Sequence, residues 1–238
     1  DSIVNPENDR ENVTYRYAGG TLVLKKIKLP DAGNNLVFAN LTEYSNGDAY
    51  DRIGSVFIVP TDRDISFLNG LRNGVHSLPL YKDKQGKEYQ GVVETENYLP
   101  PLELMCFFTP FGVRYFNERS KIKGYNWADS VNYKQDITDL LPRLKGEVWI
   151  GVFIGNYDKG GHIINLDLEF HPQQPDSSKK NTWVEPIFNT LNILEMAGQT
   201  YATMFDNDSL AVTVNIPEGL KKLSLRYIAT GHGGWNNG

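Results

Sequence analysis

The stretch Asn46-Gly47-Asp48-Ala49-Tyr50-Asp51-Arg52 sets two acids and a guanidinium side by side, then runs into Ile53-Gly54-Ser55-Val56-Phe57-Ile58-Val59-Pro60. Asn-Gly is a strong turn signal, because both residues tolerate positive φ. Val56 to Val59 is a continuous apolar run, rich in β-branched residues, that Pro60 ends. It reads as a strand covered on both faces. Asp51 and Arg52 therefore stand where a turn enters a core strand. If both lie in that strand they point to opposite faces and cannot pair with each other, so each needs another partner. Two readings stand side by side. An acid at a strand mouth between Tyr44 and Tyr50 can work as a general acid or base. Alternatively, Asp51 caps the turn and Arg52 makes a surface pair.

The other reactive residue types narrow the chemistry. His76, His162, His171 and His232 are scattered without metal-ligand spacing such as His-Glu-x-x-His, so no metal site is expected. The chain has neither a Gly-x-Ser-x-Gly elbow nor a phosphate-binding glycine loop, which sets aside serine hydrolase and nucleotide chemistry. No cofactor is expected. The single cysteine, Cys106, excludes an internal disulfide and any cysteine-based metal site. Its setting, Leu104-Met105-Cys106-Phe107-Phe108, marks a buried, inert thiol.

Two groups of residues fit a ligand without chemistry of their own. Gly231-His232-Gly233-Gly234-Trp235 is either a flexible turn or a loop whose backbone approaches a ligand, with His232 and Trp235 giving polar and stacking contacts. Tyr125, Trp127 and Tyr157 fall in expected loops, where aromatic faces suit sugar rings or seal the ends of a sandwich.

The elements that must position these residues are strands. Aromatics at 12%, with 22 Gly and 12 Pro, favour an all-β protein with many turns. A net charge of −5 argues against nucleic acid and against an anionic membrane surface as partners. No apolar run approaches the roughly 18–20 residues of a spanning helix. The start at Asp1 without Met reads as a processed end, so we expect an exported protein (periplasmic, cell-surface or secreted) whose signal has been removed.

Taken in order, residues 1–14 read as a loosely held polar segment. Strands are expected at Thr21–Leu24 and Leu36–Leu41, then in the central stretch. Residues 61–91 read as a hairpin or long decorated loop, with turns at Asn69-Gly70 and Asn73-Gly74. Leu102–Thr109 is a strand stopped by Pro110, and Glu118–Lys134 a loop carrying Tyr125, Trp127 and Tyr133. Asp136 is placed to N-cap one helical turn that Pro142 keeps short. Glu147–Ile154 and Ile163–Phe170 are strands. In the second, Ile164, Leu166, Leu168 and Phe170 alternate with polar residues, giving one wet and one buried face. Residues 173–180 have linker composition and divide a domain at 1–172 from one at 181–238. In the latter, strands are expected at 184–188, 201–205, 211–216 and 223–230, the last two half-buried. Fifty-eight residues fall short of the roughly 100 of a sandwich, so the chain is a fragment or a second chain supplies the rest.

Taken together, these residues resemble the bacterial peptide-N-glycosidase F family. The family's acid–x–aromatic–Asp–Arg entry to a strand is matched by Asp48-Ala49-Tyr50-Asp51-Arg52. Phe107-Phe108-Thr109-Pro110-Phe111 and Asp136-Ile137-Thr138-Asp139 match two further elements, as does the strand–turn–strand from Glu147 to Phe170. Leu223–Gly238 is similar to the family's strand ending in a loop rich in Gly, His and Trp, and the likeness spans most of residues 18–238.

The resemblance implies two jelly-roll domains side by side, with the active site at their interface. It implies metal-independent hydrolysis of the amide joining N-acetylglucosamine to asparagine in N-linked glycoproteins or glycopeptides, Asn becoming Asp. Asp51 is then the principal catalytic acid, and Arg52 binds the sugar core or fixes Asp51. Tyr50 stands where the family has Trp, and His232 and Trp235 line the cleft from the second domain. The family's second acid has no clean match: the corresponding turn is Ile154-Gly155-Asn156-Tyr157-Asp158, where Asp158 stands in and Tyr157 adds a substrate contact. The third acid falls just past Gly238, and the cysteines that brace the family's turn are replaced by Glu43 to Asn46. A non-catalytic carbohydrate-binding β-sandwich on the same scaffold is the alternative.

Overall fold

The structure, a computed structural model, describes residues 13–33, 35–111, 122–126, 128–156, 159–172, 183–190 and 209–229. Strand β1 (Thr14–Tyr17) is followed by β2 (Leu22–Leu29), β3 (Leu36–Ser45) and β4 (Ile53–Val59). Helix α1 (Phe67–Asn73) precedes the short pair β5 (Leu80–Lys82) and β6 (Glu88–Gln90). Then come β7 (Leu102–Phe108), β8 (Val131–Asp136), β9 (Gly146–Ile154) and β10 (His162–His171). One sheet has the order β1-β2-β9-β4-β7 and a second the order β10-β3-β8, with every neighbouring pair antiparallel.

The two sheets face each other over Val37, Ala39 and Leu41 of β3, Val56 and Ile58 of β4, Leu104 and Phe107 of β7, and Val148, Ile150 and Val152 of β9. The five-stranded sheet buries its other face as well, beneath α1 and the 78–98 segment, around Leu24, Phe57, Phe67, Tyr98 and Phe153. This is why the β4 sequence is apolar at consecutive positions: after Ile53 every residue of the strand is buried. The expected strand covered on both faces is found. By contrast β3 and β10, in the outer sheet, alternate strictly or nearly so between inner and outer residues.

Several local expectations are corrected. The first strand is β1, and the next extends to Leu29 rather than ending at Leu24; β3 continues four residues past Leu41. Within 61–91 a helix forms because Ser66 and Asn69 make a reciprocal capping box, with the Ser66 amide donating to Asn69 Oδ1 at 2.8 Å. Asn69-Gly70 is therefore no turn. Gly70 is needed for close packing, since a Cβ there would lie 2.6 Å from Leu78 Cδ1. Asp136 accepts from the Thr138 amide at 2.9 Å, but the cap residue of the 3-10 turn Thr138–Arg143 is Ile137. The end of the supposed 118–134 loop is strand β8, and Tyr133 packs on Phe107 with ring centroids 5.1 Å apart.

Residues 184–188 make one bridge, Phe188 to Val93, rather than a strand. That segment is held on the sandwich by Glu94 N–H to Ile187 O and Asn189 N–H to Val92 O, at 2.9 and 2.8 Å. Residues 209–229 touch it through Arg226 Nη2, which donates to Leu104 O at 3.1 Å. The alternation in 211–216 and 223–229 builds no ladder among the described residues, and Leu223, Leu225 and Tyr227 are exposed rather than half-buried. A period of two makes an amphipathic strand only when a neighbouring strand takes up its hydrogen bonds. The expected strand at 201–205 lies outside the described residues.

Candidate active site

The turn between β3 and β4 carries the site. Gly47 adopts a positive φ of 117°, and the Ser45 hydroxyl donates to the Asp48 carbonyl. Asp48 is the capping acid. Its Oδ1 accepts the Tyr50 amide at 3.0 Å, closing an Asx turn. It also receives Arg52, with Nε to Oδ2 at 2.7 Å and Nη2 to Oδ1 at 3.1 Å, the two-point geometry that makes guanidinium–carboxylate pairs specific. The Asp48 side chain is fully buried, so this pair is the turn's interior brace.

Asp51 is held from both sides by one residue. Thr109, buried at the end of β7, donates its hydroxyl to Tyr50 O at 3.2 Å and accepts the Arg52 amide at 2.8 Å. A third bond runs from the Thr109 amide to Arg52 O at 2.8 Å. Those bonds fix the peptide units flanking Asp51, a half-buried residue. This accounts physically for the Phe-Thr-Pro element: Thr supplies the clamp, and Pro110 ends the strand there.

Beside Asp51 the surface is aromatic. Tyr50 is 55% exposed and Phe111 65%, and their rings meet edge to face at 6.1 Å. The Arg52 guanidinium lies 5.2 Å from the Tyr50 ring centroid. An exposed aromatic pair next to a fixed carboxylate can take the apolar C–H face of a sugar ring and present its substituents to the acid.

Below the turn lies a polar cluster. Glu43 and His162 are both buried, with His162 Nδ1 2.7 Å from Glu43 Oε1 and Nε2 3.3 Å from Asp48 Oδ2. The β9–β10 connection closes against the same turn. Asn46 N–H donates to Gly161 O at 2.7 Å, and Asn156 Nδ2 to Gly160 O at 2.9 Å. Gly160 must be glycine for this approach, because a Cβ would sit 2.6 Å from the Gly47 carbonyl carbon.

The sequence reading is corrected on the pair at its centre. Asp51 and Arg52 precede β4 rather than lying in it, and the turn is capped by Asp48, not Asp51. The Arg52 ion pair is made with the buried Asp48 rather than with a surface acid. Cys106 is half-buried rather than sealed, yet burial and the nearby Glu103 push its thiol up to about 12, which keeps it inert at neutral pH. Asp158, Tyr157, Trp127, His232 and Trp235 lie outside the described residues. The reading missed Thr109, Glu43 and His162. A signal existed for Glu43: extended by two positions, the alternation Val37, Ala39, Leu41 puts it on the inner face.

Fold and site define a β-sandwich that offers one backbone-clamped carboxylate beside an exposed aromatic pair. The chain matches the family model described as peptide-N-glycosidase F, N terminal, over residues 2–170, and that described as peptide-N-glycosidase F, C terminal, over residues 200–238. It belongs to the peptide-N-glycosidase F family. Two solved structures of PNGF-II, in space groups C2 and P21, are similar to it at 51% and 52% identity, each with a TM-score of 0.78. They cover 87% and 86% of this chain, which spans 38% of the PNGF-II chain. No curated protein matches it.

Proposed function

We propose that this chain carries the Asp51 side of a glycoamidase site, acting on the amide between N-acetylglucosamine and asparagine in exported N-linked glycoproteins or glycopeptides. The observation that carries the reading is that the family match over residues 2–170 contains an Asp51 gripped through both neighbouring peptide units. Preorganisation of that kind is what a general base needs, since its reach to the reacting water is set before substrate arrives. In the step proposed, Asp51 takes a proton from water as the oxygen attacks the side-chain amide carbon. The C–N bond then breaks, and the same proton passes to the departing nitrogen. The products are an aspartate side chain and a glycosylamine.

Arg52, held by Asp48, sets the turn, while Tyr50 and Phe111 form the wall against which the first sugar packs. In this reading the described sandwich is the first of two jelly rolls, joined through 173–180 to a second that begins at 181, and Asp158, Tyr157, His232 and Trp235 complete the cleft. We place the protein outside the cytoplasm, with its substrates.

The test is release of glycan from a denatured glycoprotein by wild type and Asp51→Asn, with mass analysis of the peptide for the Asn-to-Asp change. Wild-type conversion that Asp51→Asn abolishes supports the reading. Glycan binding with no converted peptide from either protein would move the chain to a carbohydrate-binding module.

A further inference from the structure

We propose that His162 is a positioning residue for the carboxylate at 51: it bridges Glu43 and Asp48 beneath the turn and so fixes the ion pair that orients Arg52. The inference rests on the reading that Asp51 acts on substrate, and adds to it a residue outside the turn itself.

The cluster stands where the strand pattern calls for apolar residues. Val37, Ala39, Leu41, Glu43 and Ser45 share the inner face of β3, and His162 opens β10 directly opposite Ser45. The side chains of Glu43, His162 and Asp48 are 1%, 3% and 0% exposed. Carboxylates this deep are costly unless paired. Burial, then the nearby Glu43, pushes the hydroxyl of the neighbouring Tyr133 up to about 12.

The ring geometry specifies what His162 does. Nδ1 faces Glu43 Oε1 at 2.7 Å and Nε2 faces Asp48 Oδ2 at 3.3 Å. Both nitrogens donate together only in the imidazolium form. With both nitrogens donating, the ring ties Glu43 to Asp48 while Arg52 ties Asp48 to the turn. Asp48 Oδ2 takes Arg52 Nε and His162 Nε2 at once, so its plane is set from two directions. Since Asp48 also accepts the Tyr50 amide, any rotation of that carboxylate moves the Ala49–Tyr50 peptide, one unit ahead of the peptide that enters Asp51. Glu43 Oε2 is buried with no hydrogen-bond partner among the described residues, so Glu43 is anchored through its other oxygen, to His162. The chain of contacts runs one way, from Glu43 through His162 and Asp48 to the turn.

Two single substitutions separate the two ends of the ring. In His162→Gln the amide nitrogen reaches the place of Nε2 and still donates to Asp48. In His162→Asn it reaches only the place of Nδ1 and serves Glu43. If His162 acts through Asp48, His162→Asn lowers kcat about tenfold to a hundredfold, the range for a displacement near 1 Å, with KM within about twofold, while His162→Gln keeps kcat within about threefold of wild type. A role limited to satisfying buried Glu43 predicts the reverse order, and that order overturns the proposal. So does an equal loss in both that follows only the folded fraction. Should His162→Asn fail to fold, ¹⁵N shifts of the wild-type ring decide: two protonated nitrogens uphold the bridge, and an unprotonated Nε2 refutes it. Asp51→Asn in the same assay keeps the two ideas apart. Full activity of that variant removes the role of Asp51, whereas its inactivity beside an unimpaired His162→Asn removes the role of His162 alone.

Discussion

Thr109 and Arg52, 57 positions apart in sequence, are joined by two hydrogen bonds, Arg52 N–H to Thr109 Oγ1 and Thr109 N–H to Arg52 O, both at 2.8 Å. With the hydroxyl also donating to Tyr50 O, one buried side chain ties the end of β7 to the residues on each side of Asp51. The position of that carboxylate is thus a property of the sandwich and not of a loop.

Thr109→Val keeps the shape and removes the hydroxyl. It leaves the Arg52 amide without its acceptor and Tyr50 O without its donor, a loss of about 1–2 kcal/mol in stability by the usual worth of such bonds. Activity falls further, about tenfold to a hundredfold, because the flanking peptides can tilt. Urea unfolding beside kcat measurements checks both figures, and Thr109→Ser, which restores the hydroxyl, returns most of the activity. A Val variant as active as wild type would show that the clamp is irrelevant to Asp51.

Gly160→Ala brings a Cβ to within 2.6 Å of Gly47 C and 2.7 Å of the Asp48 amide nitrogen, both backbone atoms that cannot rotate away. The β9–β10 connection must move off the turn, at a cost of about 1–3 kcal/mol. Ala at the neighbouring Gly161, where the nearest atom would be Asn156 Nδ2 at 3.9 Å, is the control and costs far less. Midpoints of thermal unfolding for the two variants, measured together, settle the point.

What could be read in the sequence followed from the strength of the local pattern. The β4 run and the β9 and β10 strands are legible because burial on two faces or one writes directly into residue order. Asp51 and Arg52 stand out by their place at a strand mouth. Their partners do not: Asp48 looks like one more turn acid, and Thr109 and His162 are brought to the turn only by strands far away in sequence. Helix α1 was hidden by Asn69-Gly70, a pair that signals a turn unless Asn69 closes a capping box. The stretches 211–216 and 223–229 show the converse, a clear alternation whose pairing partners a local pattern cannot name.

Tyr50 is open to solvent, and among the described residues its ring meets Phe111 edge to face and the Arg52 guanidinium. Tyr50→Ala therefore leaves unfolding nearly unchanged, as for other surface substitutions. If the ring packs on the first sugar, KM rises roughly threefold to tenfold, matching about 0.5–1.5 kcal/mol of ring contact, while kcat holds. Tyr50→Trp, with a larger face, lowers KM below that of Tyr50→Ala. Initial rates over a range of glycopeptide concentrations measure this, and a KM untouched by either change places the sugar elsewhere.

The 183–190 segment is held by a second ionic cluster, which gives stability its own pH dependence. Arg63 donates to Glu185 and lies 3.5 Å from Glu94 Oε2, and Trp183 Nε1 donates to Glu185 Oε2 at 3.2 Å. Burial, then the hydrogen bond and charge of Glu185, push Glu94 up from 4.5 to about 7 against the pull of Arg63. A carboxyl raised in the folded state binds its proton more tightly there than in the unfolded chain. Its contribution is therefore fully present below about 4.5 and is lost as pH rises through about 7. Glu94→Gln is neutral at every pH and removes that slope. Urea unfolding at the two ends of this range should show wild type losing on the order of 1–2 kcal/mol more than Glu94→Gln, a discounted share of the full shift. Because Glu94 directly follows Val93 and Glu185 lies in the segment bridged to it through Phe188, amide exchange at Asn189 should quicken along with it in wild type. Parallel slopes in the two proteins would mean that the carboxyl pair does not share a proton.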